Sequence, residues 1–370
     1  MQTNAPASSD FVDQFNRAVV FGQISISDGA QAFNNSPATS AAFQNIIAGQ
    51  NAGSSLTPVA GGVGCFNTGV GFASLQLTTT GAYNTALGNQ ALQNNTTGGG
   101  NTAIGEQALR DNQTTNANTA VGAGSMLLNQ TGQQNTAIGD SSLQQNVSSS
   151  NNVAIGQNAM RKSTAGPNTG VGQSALYENI SGTGNTALGK SALEACTASN
   201  NTAVGSYALE KSTSGSLNTA VGVTALNSHL SGNNNVAIGH SSQFNNQTAV
   251  YNTSVGSQSL QAATTGQQNT AIGARAMASS TGSRNVVLGS QANENVTSGN
   301  ENVVIGSFAT SETYSRAIVL GNSARAYSDQ TLSIGYGMTD LVATSSGTAN
   351  GLDLIIYLNG TRYRIALKNG

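Results

Sequence analysis

The chain has no tryptophan, four prolines and two cysteines in 370 residues. Charged residues make up only 8% of it and aromatics 5%. Each shortage excludes something. The apolar content of 37% is mostly small side chains, too small for the core of an ordinary enzyme. A net charge of −2 provides no basic footprint for nucleic acid. No run approaches the ~20 apolar residues of a membrane span, so no membrane insertion is expected. Met1 to Asp10 is polar, with no positive start followed by an apolar stretch, so no secretory signal is visible. Cys65 and Cys196 lie far apart and at different places in the pattern described below. Free buried thiols are therefore expected rather than a disulfide, which suits a reducing cytoplasm.

Chemistry-bearing residues are equally scarce. There are 15 acidic residues, and none recurs in register to build the paired carboxylates of a polysaccharide-cleaving solenoid. His229 and His240 are too few and too separated for a metal site. No phosphate loop stands out among the many glycines. The expectation is a non-enzyme with no catalytic residue, no metal and no cofactor.

What the chain has is glycine, 45 of them, and a recurring phrase. Asn-Thr/Val-small-Ile/Val/Leu-Gly occurs in fifteen copies from Asn67, Asn84 and Asn101 to Asn285 and Asn302, stepping by 16 or 17 residues. A fixed short period implies a fixed repeat in space. A unit this short cannot hold a helical hairpin and suits one coil of a parallel β-solenoid, so the fold class is all-β. The low-complexity composition suggests disorder, but the periodic Ile, Val and Leu argue against it.

Counting from the Asn, positions 2 and 4 share one strand face and position 3 the other. Thr and Val exchange at position 2, which reads as a packed site. Positions 8 and 9 form a second apolar pair, as in Ala91-Leu92 and Ala175-Leu176. Adjacent apolar residues imply two buried faces, and hence a homo-oligomer whose simplest form is a trimer. Gly at position 5 implies positive φ or close backbone approach. The Asn column implies an amide ladder between coils. The structural ladder is thus assigned to Asn84, Gly88, Asn101, Gly105, Asn135, Gly139, Asn185, Gly189 and their equivalents. Positions 10 to 17 are polar and variable, and are expected as exposed turns.

Three regions follow. Residues 1–60, richer in Phe, form an N-terminal docking or capping region, either a short helix after Asp10 or irregular coils. Residues 61–337 form the shaft. Residues 338–370 form a tip or trimerisation element, because Asn359-Gly360 between two alternating runs is a strong hairpin cue. On that hairpin Tyr357, Arg362, Tyr363 and Arg364 are the candidate receptor contacts.

The phrase Asn-Thr-Ala-Ile/Val-Gly-x-x-Ala-Leu, with polar turns between, resembles repeats of phage tail-fibre proteins and is similar to the head repeats of trimeric autotransporter adhesins. The resemblance covers Asn67 to Gly335. It implies a left-handed parallel β-roll, three chains side by side, and attachment to a host surface glycan or protein. The hairpin also looks like C-terminal segments of cyanophage structural proteins. Export signal, coiled-coil stalk and membrane anchor of the adhesins are not seen, nor is the self-cleaving chaperone domain of many phage fibres. The expectation is a virion fibre or spike assembled in the host cytoplasm, joined to other tail or capsid proteins through its N-terminal region. A bacterial surface adhesin head is the alternative, followed by an ice-binding solenoid.

Overall fold

The computed structural model of the chain describes residues 45–57, 63–262 and 264–335, and the backbone of 353–358 and 361–366. Eighteen three-residue strands, from β1 (Ile46–Ala48) and β2 (Thr68–Val70) to β17 (Ile318–Leu320) and β18 (Leu332–Ile334), build one parallel sheet. Each pairs with the next in sequence, and equivalent repeat positions lie opposite one another: Thr85 faces Thr102, Ala86 faces Ala103, Leu87 faces Ile104. The described residues contain no helix. Seventeen steps of about 4.8 Å make the stack roughly 80 Å long. β1 belongs to this sheet, so the shaft begins inside residues 1–60, at the phrase Asn45-Ile46-Ile47-Ala48-Gly49. The Phe-rich segment around Phe11 and Phe15 lies outside the described residues.

The interior of each coil is narrow. Position 3 points inward, and Ala86, Ala103, Ala120 and Ala137 have no exposed surface. Positions 2 and 4 point outward, with Thr85, Leu87, Thr186 and Leu188 exposed. The Thr/Val exchange therefore does not mark packing within the chain.

The inference of two buried faces from positions 8 and 9 is also corrected. Ala91 and Leu92 are both fully buried inside the same coil. Strand alternation does not apply there, because Gln90 and Leu92 are left-handed, with φ of 58° and 50°. The backbone turns between them, and neighbouring side chains enter one core. The same pair of left-handed residues recurs at Gln107 and Leu109, and at Asn158 and Met160. A further left-handed residue stands just before the Asn of every coil from Asn67 on except at Pro167, as at Tyr83 and Gln134. Each such residue costs about 1 kcal/mol in an L chain. The cost is offset by backbone bonds to the next coil, as in Leu92 N–H to the Ala108 carbonyl at 3.0 Å.

Two columns hold the coils together. Gly139 has φ of +130°, and a Cβ there would sit 2.6 Å from the Gly156 carbonyl, so positive φ and close approach both apply. The Asn column bonds in two directions. Asn118 Oδ1 accepts the Asn135 N–H at 3.0 Å, and Asn118 Nδ2 donates to the Gly132 carbonyl at 2.9 Å. Asn84, Asn101 and Asn185 repeat this scheme. The principal acceptor-to-donor link is thus side chain to backbone, supplemented in places by amide-to-amide contact, as from Asn101 Nδ2 to Asn84 Oδ1 at 3.2 Å.

Removing Asn118 leaves the buried Asn135 N–H without a partner and takes one of two donors from the Gly132 carbonyl, which keeps Asn129 Nδ2 at 3.0 Å. Asn118→Ala is expected to cost about 3 kcal/mol and to open the coils at Asn118 and Asn135 first, as repeats contact only their neighbours. Exposed Glu106→Ala is expected to stay within about 0.5 kcal/mol. Hydrogen exchange checks this, and unchanged protection of the Asn135 amide would contradict it.

Candidate interaction surfaces

The outward row at position 4 is an apolar feature that runs along the described shaft. Its exposed rungs run from 37% at Val70 and Ile104 to 49% at Leu188, with half-buried valines such as Val121 and Val204 between them. Parallel in-register pairing lines these side chains up coil after coil. Beside them runs the position 2 row of Thr and Val. Scattered exposed apolar residues on a surface are ordinary, whereas an aligned row of this length makes a candidate contact surface.

The assigned tip residues lie on a separate ladder. β19 (Asp353–Leu358) pairs antiparallel with β20 (Thr361–Ala366). Tyr357 stands opposite Arg362, Ile356 opposite Tyr363, and Ile355 opposite Arg364. Asn359, Gly360 and the side chains of this ladder lie outside the described residues.

The expectation that positions 10 to 17 are all exposed is corrected at position 12, which is a second buried column. Asn112 Nδ2 donates to Asn95 Oδ1 at 2.9 Å, and Asn146 Nδ2 to Asn129 Oδ1 at 3.0 Å. Later coils place Ser163, Asn179, Cys196, Ser212, His229 and Asn246 here. The varied identities disguise the column, but its spacing and its exclusion of long charged side chains were visible signals. Cys196 is a free, buried thiol, and burial pushes it up to about 11. Cys65 is also buried and forms no disulfide; its thiol donates to the Val63 carbonyl at 3.2 Å, and desolvation raises its pKa. His229 is fully buried, with Nδ1 3.3 Å from the Ser212 hydroxyl. Burial pushes its imidazole down to about 4, against a smaller opposing pull from the Gly232 backbone.

The coil that begins at Asn235 divides the apolar core. Ser242 and Gln243 replace the Ala-Leu pair, and Gln243 Nε2 donates to the Ser254 hydroxyl at 3.0 Å and the Val236 carbonyl at 2.9 Å. Asn246 Nδ2 donates to Gln243 Oε1 at 2.7 Å. This satisfied polar layer separates the core ending at Ala237 from the one starting at Leu260. His240 is exposed, away from the buried column of His229. The described residues contain no group of three or more His, Cys, Asp or Glu able to hold a metal. No helix among them is long and apolar enough to cross a membrane. Ion pairs such as Lys162–Glu178 at 2.6 Å join neighbouring coils at the surface, where each is worth little.

Neither protein-family models nor curated proteins match the chain.

The buried His229 has a pH consequence. Its folded pKa, about 4, lies below the ordinary 6.5, so the unfolded chain binds the extra proton between these values. Stability is full above pH ~6.5 and falls as pH drops towards 4, by about 3 kcal/mol in all. His229→Asn, which restores the residue found at Asn112 and Asn129, is expected to remove this loss. Thermal unfolding at pH 7 and pH 4.5 of both proteins checks it. An equal drop in the two would contradict it.

Proposed function

We infer that the protein is a homotrimeric fibre or spike of a virion, structural rather than catalytic, that attaches the particle to a host surface. In this reading the coils form a left-handed roll, three chains pack side by side, and a C-terminal hairpin closes the assembly. The N-terminal region docks on other tail or capsid proteins. The shaft and the tip, including Tyr357, Arg362, Tyr363 and Arg364, face a host glycan or protein. Assembly takes place in the host cytoplasm.

The observation that supports the reading is the outward position 4 row. Covering the remaining half of one Ile, Val or Leu contributes about 1 kcal/mol. Association costs roughly 4–15 kcal/mol, so a few rungs cannot hold two chains together, whereas the full row can. The equivalent register of every coil lets identical chains meet along their whole length. A bacterial adhesin head would use the same shaft and differs in where the protein resides. Ice binding gains one specific observation, the outward Thr array at position 2. The bulky apolar row alongside it favours coverage by protein, and thermal hysteresis of the purified chain would favour ice instead.

Immuno-electron microscopy of the source is expected to place the protein on a particle, and its absence from every particle would sink the virion reading. Ile138→Asp combined with Ile155→Asp is expected to shift native mass spectra towards the single chain. The coil should stay intact, because both side chains point away from Ala137 and Ala154 in the core. An unchanged oligomer would contradict the assigned interface.

A further inference from the structure

The residue just before each Asn forms an outward column, left-handed from Phe66 on in every coil but that of Pro167. Phe66 and Tyr83 occupy it in consecutive coils, with φ of 60° and 61°. Their rings stack with centroids 5.0 Å apart and planes 8° from parallel. In the next coil the column holds Gly100, and a Cβ built there would meet no atom within 4 Å. The aromatic stack therefore ends at Tyr83, whose residue is 64% exposed, and the following rung has no side chain to cover it. A depression of about 340 Å³ opens here, lined by Val63, Ala82, Tyr83, Thr97, Gly100 and Asn116 among others. Its rim is uncharged. The Asn116 Oδ1 accepts the Gly99 N–H at 2.7 Å, which anchors that amide beside the gap. Thr80 and Thr97 border it and are exposed.

An aromatic ring beside neutral hydroxyl and amide groups suits a ligand with one C–H face and a hydroxyl-bearing edge. A nucleotide would also stack, but no Lys or Arg lines the depression to meet its phosphate. Tyr251 shows that the column alone is insufficient. It is 59% exposed but stands between Asn234 and Gln268, so no glycine gap follows it.

We propose that the depression between Tyr83 and Gly100 binds a pyranose ring of a neutral glycan, with the C–H face of the sugar on Tyr83 and its hydroxyl edge towards Thr97 and Asn116. The biological use of the site rests on the attachment reading, but the binding itself does not. Identical sites on three chains would add avidity to a weak single contact.

The repeat supplies variants that keep the backbone. Tyr83→Asn copies Asn151 and Asn234, at φ of 61° and 58°. Gly100→Leu copies Leu217, at φ of 60°, and fills the gap. Saturation-transfer NMR of the full chain uses methyl glucoside, mannoside, galactoside and N-acetylglucosaminide as probes. Transfer to at least one is expected, reduced about tenfold or more by both variants. No transfer to any probe, or transfer that survives both variants, would overturn the site. A particle-bound protein without sugar transfer removes the site and leaves attachment standing. Sugar transfer by a protein found on no particle supports the site and removes the virion reading.

Discussion

Consecutive coils touch backbone to backbone at Gly of position 5, and the rest of the structure depends on that approach. A Cβ on Gly139 would collide with the Gly156 carbonyl, so the column must stay glycine for the coils to stack at strand spacing. The Asn four residues earlier sets the same distance from the other end of the strand, by accepting the next Asn N–H and donating to the closing turn of its own coil. With both ends clamped, three strand residues present only one inward side chain, Ala in most coils and Val at Val287, Val304 and Val319. Position 3, the small residue at position 8, Leu or Met at position 9 in most coils and a mostly polar residue at position 12 fill the interior.

This economy explains the composition. A coil of so few residues can close only by turning sharply, and left-handed residues before the Asn and at positions 7 and 9 supply the turns. Their strain is tolerated because each coil repeats the same hydrogen bonds with both neighbours. It also explains the unusual surface. Position 4 alternates with the inward position 3, so its Ile, Val and Leu are left outside. They are large, aligned and half-covered, and this row carries the case for association between chains.

The period, the parallel stacking and the role of Gly and Asn could be read from spacing alone, since each requires the same residue at every coil. The direction of the side chains could not. Strand alternation holds for Thr85, Ala86 and Leu87, but nothing in the pattern says which face is the inside, and the exchange of Thr with Val fits either. At Ala91 and Leu92 alternation fails outright, because left-handed Leu92 brings two neighbours into one core. The oligomer was thus expected from positions 8 and 9, whereas its support comes from position 4. The buried column at position 12 escaped notice because Asn, Ser, Cys and His fill it in turn. The seat beside Tyr83 depends on a missing side chain at Gly100, and one glycine among 45 carries no such signal by itself.

The central claim is that the outward row of the shaft is covered by identical chains. Sedimentation equilibrium of the full chain tests it most directly. The account predicts a mass three times the 37.2 kDa of one chain, stable to dilution. A species of 37.2 kDa at every concentration would contradict it.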